Sequence, residues 1–79
     1  MTLAEAIKIR IKNLCVEKNM NINQLGIASG INPTTIRSSL KQTYSTPNTI
    51  TLYYICLGFN ISIKEFFDDN LFDIENIDD

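Results

Sequence analysis

The sequence predicts an all-α domain of five helices. Strand signals are nearly absent, helix-start signals recur at Thr2, Asn21, Asn32, Thr46 and Ser62, and apolar residues return at spacings of three and four. A chain of 79 residues holds one small core and no second.

The first helix follows Thr2-x-x-Glu5. This is a capping box, in which the hydroxyl accepts one free backbone N–H and the carboxylate reaches back to another. Its apolar stripe is Leu3, Ile7, Ile11, Leu14 and Cys15, and it should end near Lys18 and Asn19. Asn21-x-x-Gln24 is a looser box that opens a second helix of two turns, carrying Leu25 and Ala28. Gly30 ends that helix, because the left-handed conformation costs glycine nothing. Asn32-Pro33 restarts the chain as a third helix, with asparagine as N-cap and proline in the first turn. Ile36 and Leu40 should face inward beside the small Ser39, leaving Thr34, Arg37, Ser38 and Lys41 outside. Residues 41–45 read as a loop. Thr46-Pro47 is read as the next cap and first turn, before a fourth helix that buries Leu52, Ile55, Cys56 and Phe59 and stops at Asn60. Ser62-x-x-Glu65 is a third capping box, opening a short fifth helix with Phe66 and Phe67. The expected organisation is one domain over 1–69 and an acidic tail over 70–79, anchored by Leu71, Phe72, Ile74 and Ile77.

The net charge of −2 conceals a division. Residues 1–64 carry all seven lysines and arginines with only Glu5 and Glu17 as acids, a balance of +5. Residues 65–79 carry seven acids and no base, a balance of −7. A basic body and an acidic tail lie in one chain. Its blandest role is solubility; its sharper one is to repel DNA on one side and so orient the body.

Several classes are set aside. Two cysteines, Cys15 and Cys56, make no disulfide framework and read as buried small apolar residues. Without histidine they cannot complete a structural zinc site, and the acids lack calcium-loop spacing. No metal, cofactor or catalytic residue is expected, since no nucleophile–base pair or phosphate-cradling glycine loop is present. Residues 42–63 are uncharged but interrupted by Pro47, Asn48 and Asn60, short of the roughly 20 apolar residues a membrane span needs. The charged start of the chain does not read as a signal peptide, so the expectation is a soluble cytoplasmic protein.

Two short helices around Gly30-Ile31-Asn32 have helix-turn-helix spacing. Around them stand Arg10-Ile11-Lys12-Asn13-Leu14, Glu17-Lys18-Asn19-Met20-Asn21 and Leu25-Gly26-x-Ala28-Ser29-Gly30-Ile31-Asn32. Then come Thr35-Ile36, Thr46-Pro47, Leu52, Ile55-Cys56, Phe59-Asn60-Ile61-Ser62 and Glu65-Phe66-Phe67. In that order the series resembles the Cro/CI-type, or XRE-type, lambda-repressor-like DNA-binding domains over residues 5–67. The resemblance implies a five-helix bundle that binds duplex DNA by sequence, its third helix in the major groove and the start of its second against a phosphate. Pro33, Thr34, Arg37 and Ser38 fall where the family reads bases. Arg37 could contact guanine O6 and N7 bidentately, or a phosphate; read blandly, it is an exposed cation. Asn21, Asn23, Gln24 and Thr35, with Lys41, Gln42, Thr43 and Tyr44 in the following loop, are the expected phosphate contacts. Arg10, Lys12 and Lys18 are expected to add diffuse attraction only. The family often has a glutamine where this chain has Ile22, which cannot donate. Some members pair an arginine at the Cys15 position with a glutamate at the Leu40 position. Both are apolar here, so the two should share one apolar cluster.

The fourth helix has more apolar surface than one core face needs. Ile50, Tyr54 and Leu57 recur at four and three residues on a side the family usually keeps polar, and Gly58 beside them would admit a close neighbour. With Leu71, Phe72 and Ile74 they form the expected interface of a twofold homodimer, unless the C-terminal segment folds over the stripe. Such a dimer would set two recognition helices about 34 Å apart on an inverted-repeat operator. The function implied is a transcriptional regulator of repressor type, from a phage, mobile element or bacterium. The alternative is a protein-interaction module, or an antitoxin that binds DNA weakly and meets a protein partner through its tail.

Overall fold

The computed structural model describes residues 1–43 and 45–79. Its five α-helices are α1 (Leu3–Glu17), α2 (Ile22–Ser29), α3 (Pro33–Lys41), α4 (Thr49–Phe59) and α5 (Ile63–Phe67). Two 3₁₀ turns follow, Asn70–Phe72 and Ile74–Asn76, and no strand occurs among the described residues.

The boundaries are set by local chemistry. Thr2 with Glu5, Asn21 with Gln24 and Ser62 with Glu65 all form complete capping boxes. Asn32 caps α3 by accepting from the Thr34 N–H, with Pro33 in the first turn. Gly30 ends α2 at φ +72°, and Asn60 ends α4 at φ +59°, in the left-handed region that asparagine tolerates better than most residues. The start of α4 corrects the sequence reading. Thr46-Pro47 lies before the helix, and Asn48 is the cap, its side chain accepting from the Thr51 N–H at 2.8 Å.

The core joins Ile7, Ile11, Leu14 and Cys15 of α1 to Leu25, Ile36, Leu52, Ile55, Cys56, Phe59 and Phe66. Leu40 packs against the cluster that holds Cys15, as the paired apolar replacement requires. Two expected stripe members do not: Leu3 and Ala28 are exposed. In α2 the buried positions beside Leu25 are Gly26 and Ser29, because α4 and the turn into α3 approach too closely for larger groups. A Cβ on Gly26 would lie 2.7 Å from both the Ile31 carbonyl oxygen and the Pro33 ring. Gly58 of α4 abuts Ser29 of α2, so the close approach this glycine allows is used inside the chain rather than toward a partner.

Arg10 also departs from expectation. Its side chain is 13% exposed. Its Nε donates to the Phe66 carbonyl at 2.8 Å and Nη2 to the Glu65 carbonyl at 3.0 Å, while Nη1 pairs with Asp69 at 3.2 Å. The charge expected to attract DNA diffusely instead closes the C-terminal end of α5 onto α1. Beyond it, the Phe72 ring meets Phe67 edge-on at 4.8 Å and lies tilted against Phe66 at 6.1 Å, and the last residues run back along the start of α1. There the Asp78 N–H donates to the Met1 carbonyl and Asp79 accepts from the Leu3 N–H at 2.7 Å. The acidic end is therefore docked on α1.

Candidate nucleic-acid interface

α2, the turn and α3 are packed into one unit. The Ile31 N–H donates to the Gly26 carbonyl, Gly30 reverses the chain, and Pro33 wedges against Gly26. Ile36 anchors α3 at 1% exposure, and Ile22 packs partly into the core. With its inner side so held, α3 turns Thr34, Thr35, Arg37, Ser38 and Lys41 to solvent. Of the four expected base readers, Thr34, Arg37 and Ser38 are exposed together, while Pro33 is half-buried against the turn.

The first turn of α2 faces the same region with a row of amides. Asn21 and Gln24 engage their acceptor oxygens in the capping box, at 2.8 and 2.9 Å, which leaves their NH₂ groups as outward donors. Asn23 is engaged differently: its Oδ1 accepts from Arg37 Nη2 at 2.6 Å, joining α2 to α3 across the turn. Lys41, Gln42 and Thr43 are exposed at the end of α3, and the expectation for Tyr44 lies outside the described residues.

This arrangement joins the exposed polar side of one helix to a row of donors at a neighbouring helix start. Residues 10–71 match the family of Cro/C1-type HTH DNA-binding domains. The chain belongs to that family. No curated protein and no solved structure shows a significant match to it. Within this Cro/C1-type domain the helix-turn-helix is α2 and α3, and DNA is the ligand of the family. No helix among the described residues is long and apolar enough to cross a membrane.

The charges and thiols sort by place. With Arg10 tied to α5, the exposed cations on the helix-turn-helix are Arg37 and Lys41. Cys15 and Cys56 are free and buried. Burial pushes both thiols up, Cys56 to about 11 despite the opposing positive charge of Arg10.

Away from this surface, α4 shows a second exposed face. Ile50 is 68% exposed, Leu57 50%, Tyr53 49% and Tyr54 47%. These four lie opposite Leu52, Ile55, Cys56 and Phe59, so α4 is apolar on both sides. Tyr53 was missed in sequence although it stands three residues after Ile50; its ring meets Tyr54 edge-on at 5.6 Å. The tail leaves this stripe open. Of the remaining expected interface residues, Phe72 packs within the chain, Leu71 is half-buried, and Ile74 is 91% exposed.

Proposed function

We propose that this domain is a sequence-specific transcriptional regulator, acting as a repressor, that lays α3 in the major groove of duplex DNA. The observation that carries the reading is the outward face of α3, where Thr34, Arg37, Ser38 and Lys41 are exposed together on a helix anchored by Ile36. Arg37 supplies the bidentate donor set suited to guanine, and Thr34 a methyl suited to thymine. The outward amides of Asn21 and Gln24, with Thr35, Lys41, Gln42 and Thr43, hold the flanking phosphates. Two cations per helix-turn-helix give a modest salt dependence, with a log–log slope changing by about 0.9 per phosphate neutralised.

The working unit is a twofold dimer joined through Ile50, Tyr53, Tyr54 and Leu57 of α4, with Ile74 at its margin. Its target is an inverted-repeat operator in cytoplasmic DNA of a bacterium, phage or mobile element. Residues 1–69 are the DNA-binding unit and 70–79 an acidic extension. Selection of bound sequences from a random duplex pool tests the reading. A recovered motif with twofold symmetry supports it, and a pool that never departs from random refutes it. The exposed α4 face also favours a second reading, a protein-interaction module. In that case random duplex goes unbound even at low salt.

A further inference from the structure

The first turn of α2 carries three side-chain amides that differ in what their oxygens do. Those of Asn21 and Gln24 are engaged by each other's backbone N–H groups. The oxygen of Asn23 instead reaches out of its own helix to the Arg37 guanidinium, fourteen residues on. We propose that Asn23 is a positioning residue that determines which base Arg37 reads. This inference rests on the proposed reading of α3 as the base-contacting helix.

The geometry supports a division of labour. An arginine on an exposed helix face can swing toward base edges or toward either flanking backbone, and only the first carries sequence information. Asn23 accepts one hydrogen of Nη2. A guanidinium has five N–H donors, so one two-donor edge stays whole for the paired acceptors of guanine O6 and N7. Because Oδ1 faces Arg37, the NH₂ of Asn23 points elsewhere and remains free to donate to a phosphate. That contact would fix Asn23, and through it the plane of the guanidinium, against the DNA. Holding the fork in one orientation before binding lowers the ordering cost of the specific complex. A good bidentate contact discriminates roughly 5- to 150-fold against a wrong base. An arginine freed from Asn23 keeps its charge but not its plane, so the discrimination should fall, while the loss of Asn23's own phosphate contact adds only a weakening shared by all sequences.

The test compares sequences selected from a random duplex pool by the wild type, Asn23→Ala, Asn23→Asp and Arg37→Ala, with the melting temperature of each variant. The wild-type and Arg37→Ala arms first identify the position in each half-site whose preference depends on Arg37. At that position Asn23→Ala should lose about tenfold in discrimination or prefer another base, with the other positions and the melting temperature unchanged. Asn23→Asp keeps the acceptor and should keep the preference, though binding weaker overall. The inference is overturned if Asn23→Ala keeps the full preference and merely binds all sequences more weakly. It is also overturned if Asn23→Asp loses the preference as completely as alanine. If the wild type has no position that depends on Arg37, base reading by Arg37 itself has failed, a result distinct from either.

Discussion

Replacing Arg10 with methionine removes the fork that joins α1 to the end of α5 while keeping much of the buried aliphatic stem. Three interactions are lost: two hydrogen bonds from a charged donor to the Phe66 and Glu65 carbonyls, and the pairing with Asp69. The Asp69 side chain is 31% exposed, so that ion pair contributes the smaller share, about 0–1 kcal/mol. The carbonyl bonds are charge-assisted, a class worth about 1.5–3 kcal/mol each, though the two share one guanidinium and do not add fully. The expected loss is therefore about 2–4 kcal/mol. A domain of this length has about 4–12 kcal/mol in all, so the change removes a large fraction of its stability. In urea, with a slope of about 1 kcal/mol per M, the unfolding midpoint should fall by about 2 M or more. Lysine at the same position keeps the charge without the fork and should restore less than half. Lys12→Ala, an exposed change on the same helix, should stay within about 0.5 kcal/mol. An Arg10→Met midpoint as close to wild type as that of Lys12→Ala would mean that the fork holds nothing together and that Arg10 is a surface charge.

Other consequences can be checked separately. Gly58→Ala places a methyl on the Ser29 hydroxyl and 3.1 Å from the Ser29 backbone nitrogen, and should cost about 1–3 kcal/mol by chemical denaturation. The buried Ser29 hydroxyl has no hydrogen-bond partner among the described residues, so Ser29→Ala should be neutral or stabilise by about 1 kcal/mol, and the double variant should recover part of the Gly58→Ala loss. Both thiols sit above their ordinary 9.0 in the folded chain, Cys56 at about 11, so the native state keeps protons that the unfolded chain releases. The contribution of Cys56 is complete below pH 9 and is lost as pH rises toward 11, so between pH 7 and pH 10 the urea midpoint should fall less in Cys56→Ala than in wild type. Tyr54→Lys should convert a sedimenting dimer into a monomer without changing the melting temperature of the monomer, and two monomers at high concentration would refute the α4 interface.

Much of this fold is written locally. Thr2, Asn21, Asn32 and Ser62 announce helix starts because a capping side chain bonds to backbone only two or three residues away. Gly30 and Asn60 announce ends for an equally local reason. Thr46-Pro47 misled because Asn48, two residues after Thr46, competes for the same role and its oxygen reaches the Thr51 N–H. The departures elsewhere are long-range. Nothing near Arg10 reveals that carbonyls more than fifty residues later will hold it. Nothing near Ala28 reveals that α4 passes on the Ser29 side, which Gly58 decides. The outward set Thr34, Arg37 and Ser38 followed from helical spacing around Ile36, whereas the bond from Asn23 to Arg37 needed two helices to be placed together.

Residue-resolved amide shifts during titration with a selected duplex test most directly whether the outer side of α3 meets DNA. The largest changes should fall on residues 21–24 and 33–43, fade as salt is raised, and spare residues 73–79. Changes concentrated on α4 or on the acidic end, with α3 silent, would contradict that contact.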